Sequence, residues 1–183
     1  MIQEKLINFT PEGKKERLSQ AQIVALYPYA PECLYRSYFK PGHITGSGVL
    51  VSADGQRVLL NHHKFLDKWL YFGGHADGDS DILNVARREV EEESGLNDFD
   101  LAYNDILSLD VHTIPENAAK GEPGHKHFDV LYLFQMRKGS NETPALSDES
   151  VTLKWAAWNT LEQFSLDPHV LFALHKALRL LSS

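Results

Sequence analysis

Two spacings of apolar residues alternate along this chain. Residues 11–27 carry Leu18, Ile23, Val24 and Leu26 among their apolar positions and read as a helix, and residues 168–180 repeat the helical spacing near the carboxyl end. Between them, residues 44–52 and 56–62 alternate as strands and predict a hairpin turned at Asp54-Gly55. Residues 68–72 predict a short strand that delivers Gly73-Gly74. Residues 101–114, 127–136 and 151–158 predict three more strands, the first two joined by a loop holding Pro115, Gly121, Pro123 and Gly124. Residues 28–42, with three prolines and several tyrosines, are irregular. There is no internal repeat and no low-complexity tract. The order predicts an α/β chain: a mixed β-sheet with helices packed on it.

The segment after Gly73-Gly74 breaks this regular picture. Asp79, Ser80 and Asp81 are candidate N-caps, residues 82–93 favour a helix, and Gly95 is a natural stop. At about 100° per residue, Ile82, Val85, Ala86, Val90 and Leu96 share one apolar sector, with Arg87, Arg88 and Glu91 elsewhere. Glu89 and Glu93 fall inside that sector and Glu92 on its border. A solvated helix face is the ordinary account of a charge run, but these carboxylates point inward. A half-buried pair about 6 Å apart at an effective dielectric of about 20 repels by roughly 3 kcal/mol. A cation is expected there. Carboxylate oxygens suit hard ions, so Mg2+ or Mn2+ is the expected cofactor, with part of its shell left to water and to phosphates.

The histidines form a second constellation. His43, Thr45 and Ser47 alternate along one face of the first long strand, His127 and Asp129 along another, with His125 just upstream and His75 directly after the paired glycines. If these faces line one cleft, His43, His75, His125 and His127 could hold a second, transition metal, with Asp129 orienting an imidazole. Separate structural or substrate-contacting histidines are the alternative. Trp69, Trp155, Trp158 and the tyrosines are core or base-stacking candidates. The loop 115–126 has the length and placement of a lid.

Composition narrows the classes. At 183 residues the chain can bury a sizeable core without a second domain. Its single cysteine, Cys33, excludes an internal disulfide and suits a reducing, cytoplasmic setting. No apolar run spans a bilayer, so no membrane partner is expected. A net charge of −7 argues against broad nucleic-acid binding, leaving a phosphorylated substrate to be received by metals and local cations. An edge strand or the N-terminal helix could make a homodimer.

The residues from Gly74 to Leu96 resemble the box of the Nudix hydrolase superfamily, G-x5-E-x7-R-E-U-x-E-E-x-G-U. Gly74, Arg88, Glu89, Val90, Glu92, Glu93, Gly95 and Leu96 fall on its positions. One position departs: Ser80 stands where the pattern has its first glutamate, which bears on catalytic strength more than on the fold. The resemblance implies a Nudix-type α/β/α sandwich and one domain over residues 1–183, with an N-terminal helix and irregular extension over 1–42 and the core over 43–183. It implies Glu89, Glu92 and Glu93 as metal ligands helped by the Gly74 carbonyl, Arg88 as an electrostatic brace, and Glu92, Glu93 and Arg88 as the catalytic group. The activity implied is divalent-metal-dependent hydrolysis of a phosphoanhydride in a nucleoside diphosphate linked to another moiety, a small-molecule diphosphate substrate. The proton acceptor is left open among the box glutamates, Glu116, Glu122 and Asp148.

Two alternatives follow from the same residues. Isopentenyl-diphosphate isomerases share this fold and hold a metal through histidines before and within the loop; His43 and His75 resemble these, while His125 and His127 stand roughly where a glutamate pair would be. The isomerase cysteine beside the loop histidine has no counterpart, since Gly73 and Gly74 precede His75. The second alternative is a non-catalytic module that senses a nucleotide or metabolite, to which Ser80 lends weight and the three retained glutamates do not.

Overall fold

The computed structural model describes residues 2–118 and 121–182. Two helices open the chain, α1 (Ile2–Asn8) and α2 (Gly13–Leu26), followed by irregular turns to residue 41. The sheet strands are β1 (Gly42–Val51), β2 (Arg57–His63), β3 (Lys68–Leu70) and β4 (Phe72–His75). Then come α3 (Ile82–Ser94), β5 (Phe99–Leu101), β6 (Ser108–Ile114), β7 (His125–Met136), β8 (Ser150–Ala157) and α4 (Pro168–Leu181).

The centre of the sheet is the parallel pair β1–β7, in register from Gly42 opposite Lys126 to Val51 opposite Gln135. β4 runs antiparallel along the other edge of β1, and β5 and β6 pair antiparallel with β7. β2, flanked by β3 and β8, forms the remaining antiparallel part. Helices cover both faces, giving the α/β/α sandwich expected from the sequence. Ile44 and Leu50 of β1, with Phe128, Val130, Tyr132 and Phe134 of β7, pack under α2 and α3; Val49, Val51, Leu131 and Leu133 pack under α4. The buried apolar runs of β1 and β7 follow from being covered on both sides.

Several elements depart from the sequence expectation. The helix expected over 11–27 begins at Gly13, and a separate α1 precedes it. Leu18, assigned to its apolar face, is exposed, while Glu16 is buried because it pairs with Lys176 of α4. The hairpin at Asp54-Gly55 is brief: β1 and β2 share one register pair, Val51 with Val58, before they diverge. The strand expected over 101–114 is two strands, broken where Asp105 turns its carboxylate onto the Ile106 amide, and residues 68–72 are divided between β3 and β4. The helical turn Trp158–Phe164 has no counterpart in the apolar spacing.

The box helix meets β1 closely. A Cβ on Gly46 would stand 2.9 Å from the Ile82 carbonyl and from the Val85 side chain, so only glycine lets α3 lie this near the sheet. Asp81 caps the helix by accepting from the Asn84 amide, and Gly95, with φ of 69°, ends it.

Candidate active site

The register of the sheet gathers the polar residues. His43 pairs with His127 and His127 with His112; one step along, Thr45 pairs with Asp129 and with His75, and Asp129 with Asp110. Residues paired across adjacent strands point to one face. A cleft of about 1260 Å³ opens over this face and runs past β4 to α3, lined among others by Gly74, His75, Glu89, Glu92, Glu93, His125, His127 and Asp129.

At the α3 end stand the box carboxylates. Glu93 is 7 % exposed, Glu89 half-buried and Glu92 exposed. Burial first, then the charges of Glu89 and Glu149, push Glu93 up to about 8 from an ordinary 4.5. Glu89 is pushed up to about 7 by burial, with Arg88 pulling the other way. Glu93 accepts from Asn61 Nδ2 at 3.2 Å, yet Asn61 Oδ1 is buried with no partner. A Cβ on Gly74 would stand 2.5 Å from the Glu89 carboxylate, so the Gly74 backbone lies directly against it. Arg88 joins the loop to the helix: Nη2 donates to the His75 carbonyl at 2.9 Å, and Nη1 lies 2.8 Å from Glu89 and 3.4 Å from Glu92. Ser80 is exposed. Crowded, partly dry carboxylates with the Gly74 backbone directly against them form a donor set that fits a hard divalent cation.

At the other end stand the histidines. His43 is 1 % exposed and pushed down to about 4, first by burial and then by His75 and His125. The Tyr38 backbone lies near enough to favour its charged form, but neither ring nitrogen completes a hydrogen bond. His127 and His75 are also held below the usual range by burial. Asp129, 2 % exposed, accepts from Thr45 at 2.8 Å, Ser47 at 2.7 Å and Tyr71 at 3.3 Å; these bonds go to hydroxyls rather than to an imidazole. Burial raises its carboxyl above the usual range.

Sequence reasoning missed several cleft residues. Asp110 and His112 form a bonded pair 3.0 Å apart on β6, and the His112 ring stacks on His169 of α4. Burial works against the Asp110 charge, but hydrogen bonds from His112 and Lys15 hold its carboxyl well below the usual range. The alternation Asp110-Val111-His112 carried this signal. Asn61 and Glu149 act on the box glutamates from β2 and the loop before β8 and had no motif at all. Of the other proton-acceptor candidates, Asp148 and Glu122 line the cleft and Glu116 does not; Arg36 binds Glu122 at 2.6 Å. This ion pair ties loop 115–124 to the N-terminal segment, while the loop's residues 119–120 lie outside the described residues. The indole donors of Trp155 and Trp158 are spent on backbone carbonyls and Trp69 packs on Phe164, so no tryptophan lines the cleft; Phe65 and Tyr71 do. Cys33 is fully buried away from the cleft, and burial pushes its thiol up to about 11.

Comparison with known proteins agrees with this arrangement. The NUDIX domain model matches residues 42–178. An m7GpppN-mRNA hydrolase from Xenopus laevis is 28% identical over 133 residues, covering 70% of this chain and 43% of that protein. A probable DHNTP pyrophosphohydrolase from Lactococcus lactis subsp. cremoris is 27% identical over 90 residues, 49% of this chain and 53% of that protein. The chain thus spans about half the length of the curated relatives it matches. A C. elegans Ap4A hydrolase superposes with a TM-score of 0.60 at 17% identity, over 76% of this chain and 97% of its own, a likeness of fold.

Proposed function

The chain belongs to the NUDIX domain family, and from that premise we propose that it is a divalent-metal-dependent pyrophosphohydrolase acting on a nucleoside diphosphate linked to a second group. The observation that carries this reading is the buried pair Glu89 and Glu93, both raised toward neutrality by burial and by neighbouring carboxylates. Of the two, Glu89 has Arg88 as a cationic partner, while the charges acting on Glu93 are those of Glu89 and Glu149. Mg2+ or Mn2+, when bound, supplies neutralisation of diphosphate oxygens and a more acidic water. Glu89, Glu92 and Glu93 would hold it, with the Gly74 carbonyl.

The chain's own residues do the rest. Arg88 fixes the His75 carbonyl relative to Glu89 and so keeps the glycine loop at one distance from the helix. Arg36, Lys64 and Lys68 line the cleft, Arg36 and Lys68 in ion pairs with Glu122 and Asp167, and would meet the outer phosphate charge by exchanging those partners. Glu149 lines the cleft and remains exposed, and it joins Asp148 and Glu122 as a candidate to take the proton of the attacking water. The names of two relatives, with capped RNA and a dinucleoside polyphosphate, support a substrate with groups on both sides of the phosphate chain, whereas the pterin triphosphate of a third carries its group at one end.

The test is incubation with Mg2+ and then Mn2+ against capped RNA, dihydroneopterin triphosphate, diadenosine tetraphosphate, ADP-ribose and nucleotide sugars, with Glu93→Gln alongside. Cleavage of one class that disappears in the variant is expected. Tight binding of an intact ligand without cleavage would favour the sensor instead. Isomerase chemistry is disfavoured, because the lone thiol is sealed in the core; conversion of isopentenyl diphosphate to dimethylallyl diphosphate would reverse that judgement.

A further inference from the structure

We propose that His43, His125 and His127 form a three-histidine site for a transition-metal ion of the zinc type, beside His75 and separate from the carboxylate site on α3, with the fourth tetrahedral position open to an outside donor. The argument starts with tautomers. His125 Nδ1 lies 2.8 Å from the Pro123 carbonyl, which can only accept, so Nδ1 carries the proton and Nε2 presents a lone pair. That Nε2 lies 3.3 Å from His127 Nε2. The two nitrogens share one hydrogen at a separation long for a hydrogen bond, or they converge on a cation.

Geometry favours the cation. Bonds of about 2.0–2.1 Å at tetrahedral angles put ligand nitrogens about 3.3–3.4 Å apart and imidazole centres about 5 Å apart. The ring centres of His43 lie 5.0, 4.9 and 4.8 Å from those of His75, His125 and His127; His127 lies 5.2 Å from His125 and 5.4 Å from His75. One ligand nitrogen from each of His43, His125 and His127 falls within 4.8 Å of the others. The three rings of His43, His125 and His127, 4.8–5.2 Å apart, describe a coordination shell better than a stack or a hydrogen-bonded chain, and His75 lies beside two of them.

His43 supplies the independent observation. It is 1 % exposed, and both its ring nitrogens lack partners. A buried polar atom left unpaired costs stability, and an ion drawing on the lone pair of one ring nitrogen removes that cost there. Imidazole nitrogens select zinc, cobalt, nickel or copper over magnesium, so the two ends of the cleft would sort two kinds of metal. The buried Asp129 carboxylate, one register step away and held by the Thr45 and Ser47 hydroxyls, contributes the compensating negative charge. The ion would tie β1 to β7 beside His75, whose carbonyl Arg88 holds. The proposal goes beyond the hydrolase reading and stands if that reading fails.

The test uses the untagged full chain, stripped with chelator and titrated with Co2+, then with Zn2+ in competition with a chromophoric chelator. One equivalent is expected, with the intense visible bands of tetrahedral cobalt, bleached by zinc, and a rise in thermal midpoint. His43→Gln and His127→Gln should each weaken binding by about 100-fold or more. Glu93→Gln and His62→Gln should leave it unchanged. Should His43→Gln fail to fold, the half-buried His127 carries the test. Absence of the tetrahedral bands, or binding of equal strength in the His127→Gln variant, overturns the proposal and assigns the metal to adventitious histidines.

Discussion

Glu16 and Glu93 are both glutamates on helices, both turned inward and both nearly sealed, at 2 % and 7 % exposure. Their surroundings are opposite. Glu16 accepts from the Ser108 hydroxyl at 2.6 Å, the Leu109 amide at 3.4 Å, the Glu12 amide and the Lys176 ammonium at 3.1 and 3.2 Å. Lys176 in turn sits over the Phe9 ring, and the assembly ties α2 to α4 and β6. Around Glu93 the side-chain donor is Asn61, and the nearby charges, Glu89 and Glu149, have its own sign. A carboxylate balanced by its own protein is part of the framework, whereas one left out of balance is waiting for a ligand.

The largest effect that follows is on catalysis. Glu93→Gln should lower kcat/KM by about a thousandfold, roughly 4 kcal/mol of barrier, with a thermal midpoint unchanged or higher, because a neutral amide ends the repulsion. Rates with the best substrate of the panel, beside a melting curve, check both halves. A variant that kept its rate would remove Glu93 from the site.

Lys176→Met should do the reverse. Removing one partner of a buried pair costs about 3–5 kcal/mol, since the carboxylate is left uncompensated. Urea unfolding should show that loss, while kcat/KM per folded molecule stays within about twofold. A loss below about 1 kcal/mol would mean that Glu16 is already satisfied by its neutral donors and the comparison with Glu93 is weaker than the contacts imply.

The comparison also has a pH signature. Glu93 rises from an ordinary 4.5 to about 8 in the folded chain, so between those values the folded state binds more protons than the unfolded state. Stability of the metal-free protein therefore falls as pH rises through that window and levels off above it. Buried neutral histidines such as His43, pushed down to about 4, act the other way between about 4 and 6.5. Those contributions cancel when wild type is compared with Glu93→Gln. The stability difference in chelator should grow in favour of the variant by up to about 3 kcal/mol from pH 5 to pH 8, and added Mg2+ should reverse it for the wild type only. A pH-independent difference would show that Glu93 is not desolvated in solution.

What could be read from the chain was whatever is written locally. Helical spacing within residues 82–93 placed Glu89 and Glu93 inward, and strand alternation put His125 and His127 on one face; both follow from fixed periods and need no partner strand. Asn61, Glu149 and the Asp110–His112 pair reach the cleft through the pairings β2–β8 and β6–β7. Such pairings depend on chain closure over tens of residues, which leaves no periodic mark. The same limit applies to Glu16, whose burial depends on Lys176, far along the chain. The break between β5 and β6 was hidden for another reason: Asp105 turns the chain with its own side chain, a choice that apolar spacing does not register.

The smallest expected effect concerns Ser80. In the box pattern a glutamate at this position supports the arginine, so Ser80→Glu tests whether Arg88 lacks support here. The structure argues that it does not: Arg88 already holds the His75 carbonyl at 2.9 Å and Glu89 at 2.8 Å, and Ser80 is exposed on the loop beyond. An added carboxylate there meets high-dielectric solvent, where a charge pair is worth about 0–1 kcal/mol. The change in kcat/KM should therefore stay within about threefold in either direction. A gain of tenfold or more would show that Arg88 is shared too thinly among its acidic neighbours, and that the box pair, unlike Glu16, is short of a cation the protein itself could have supplied.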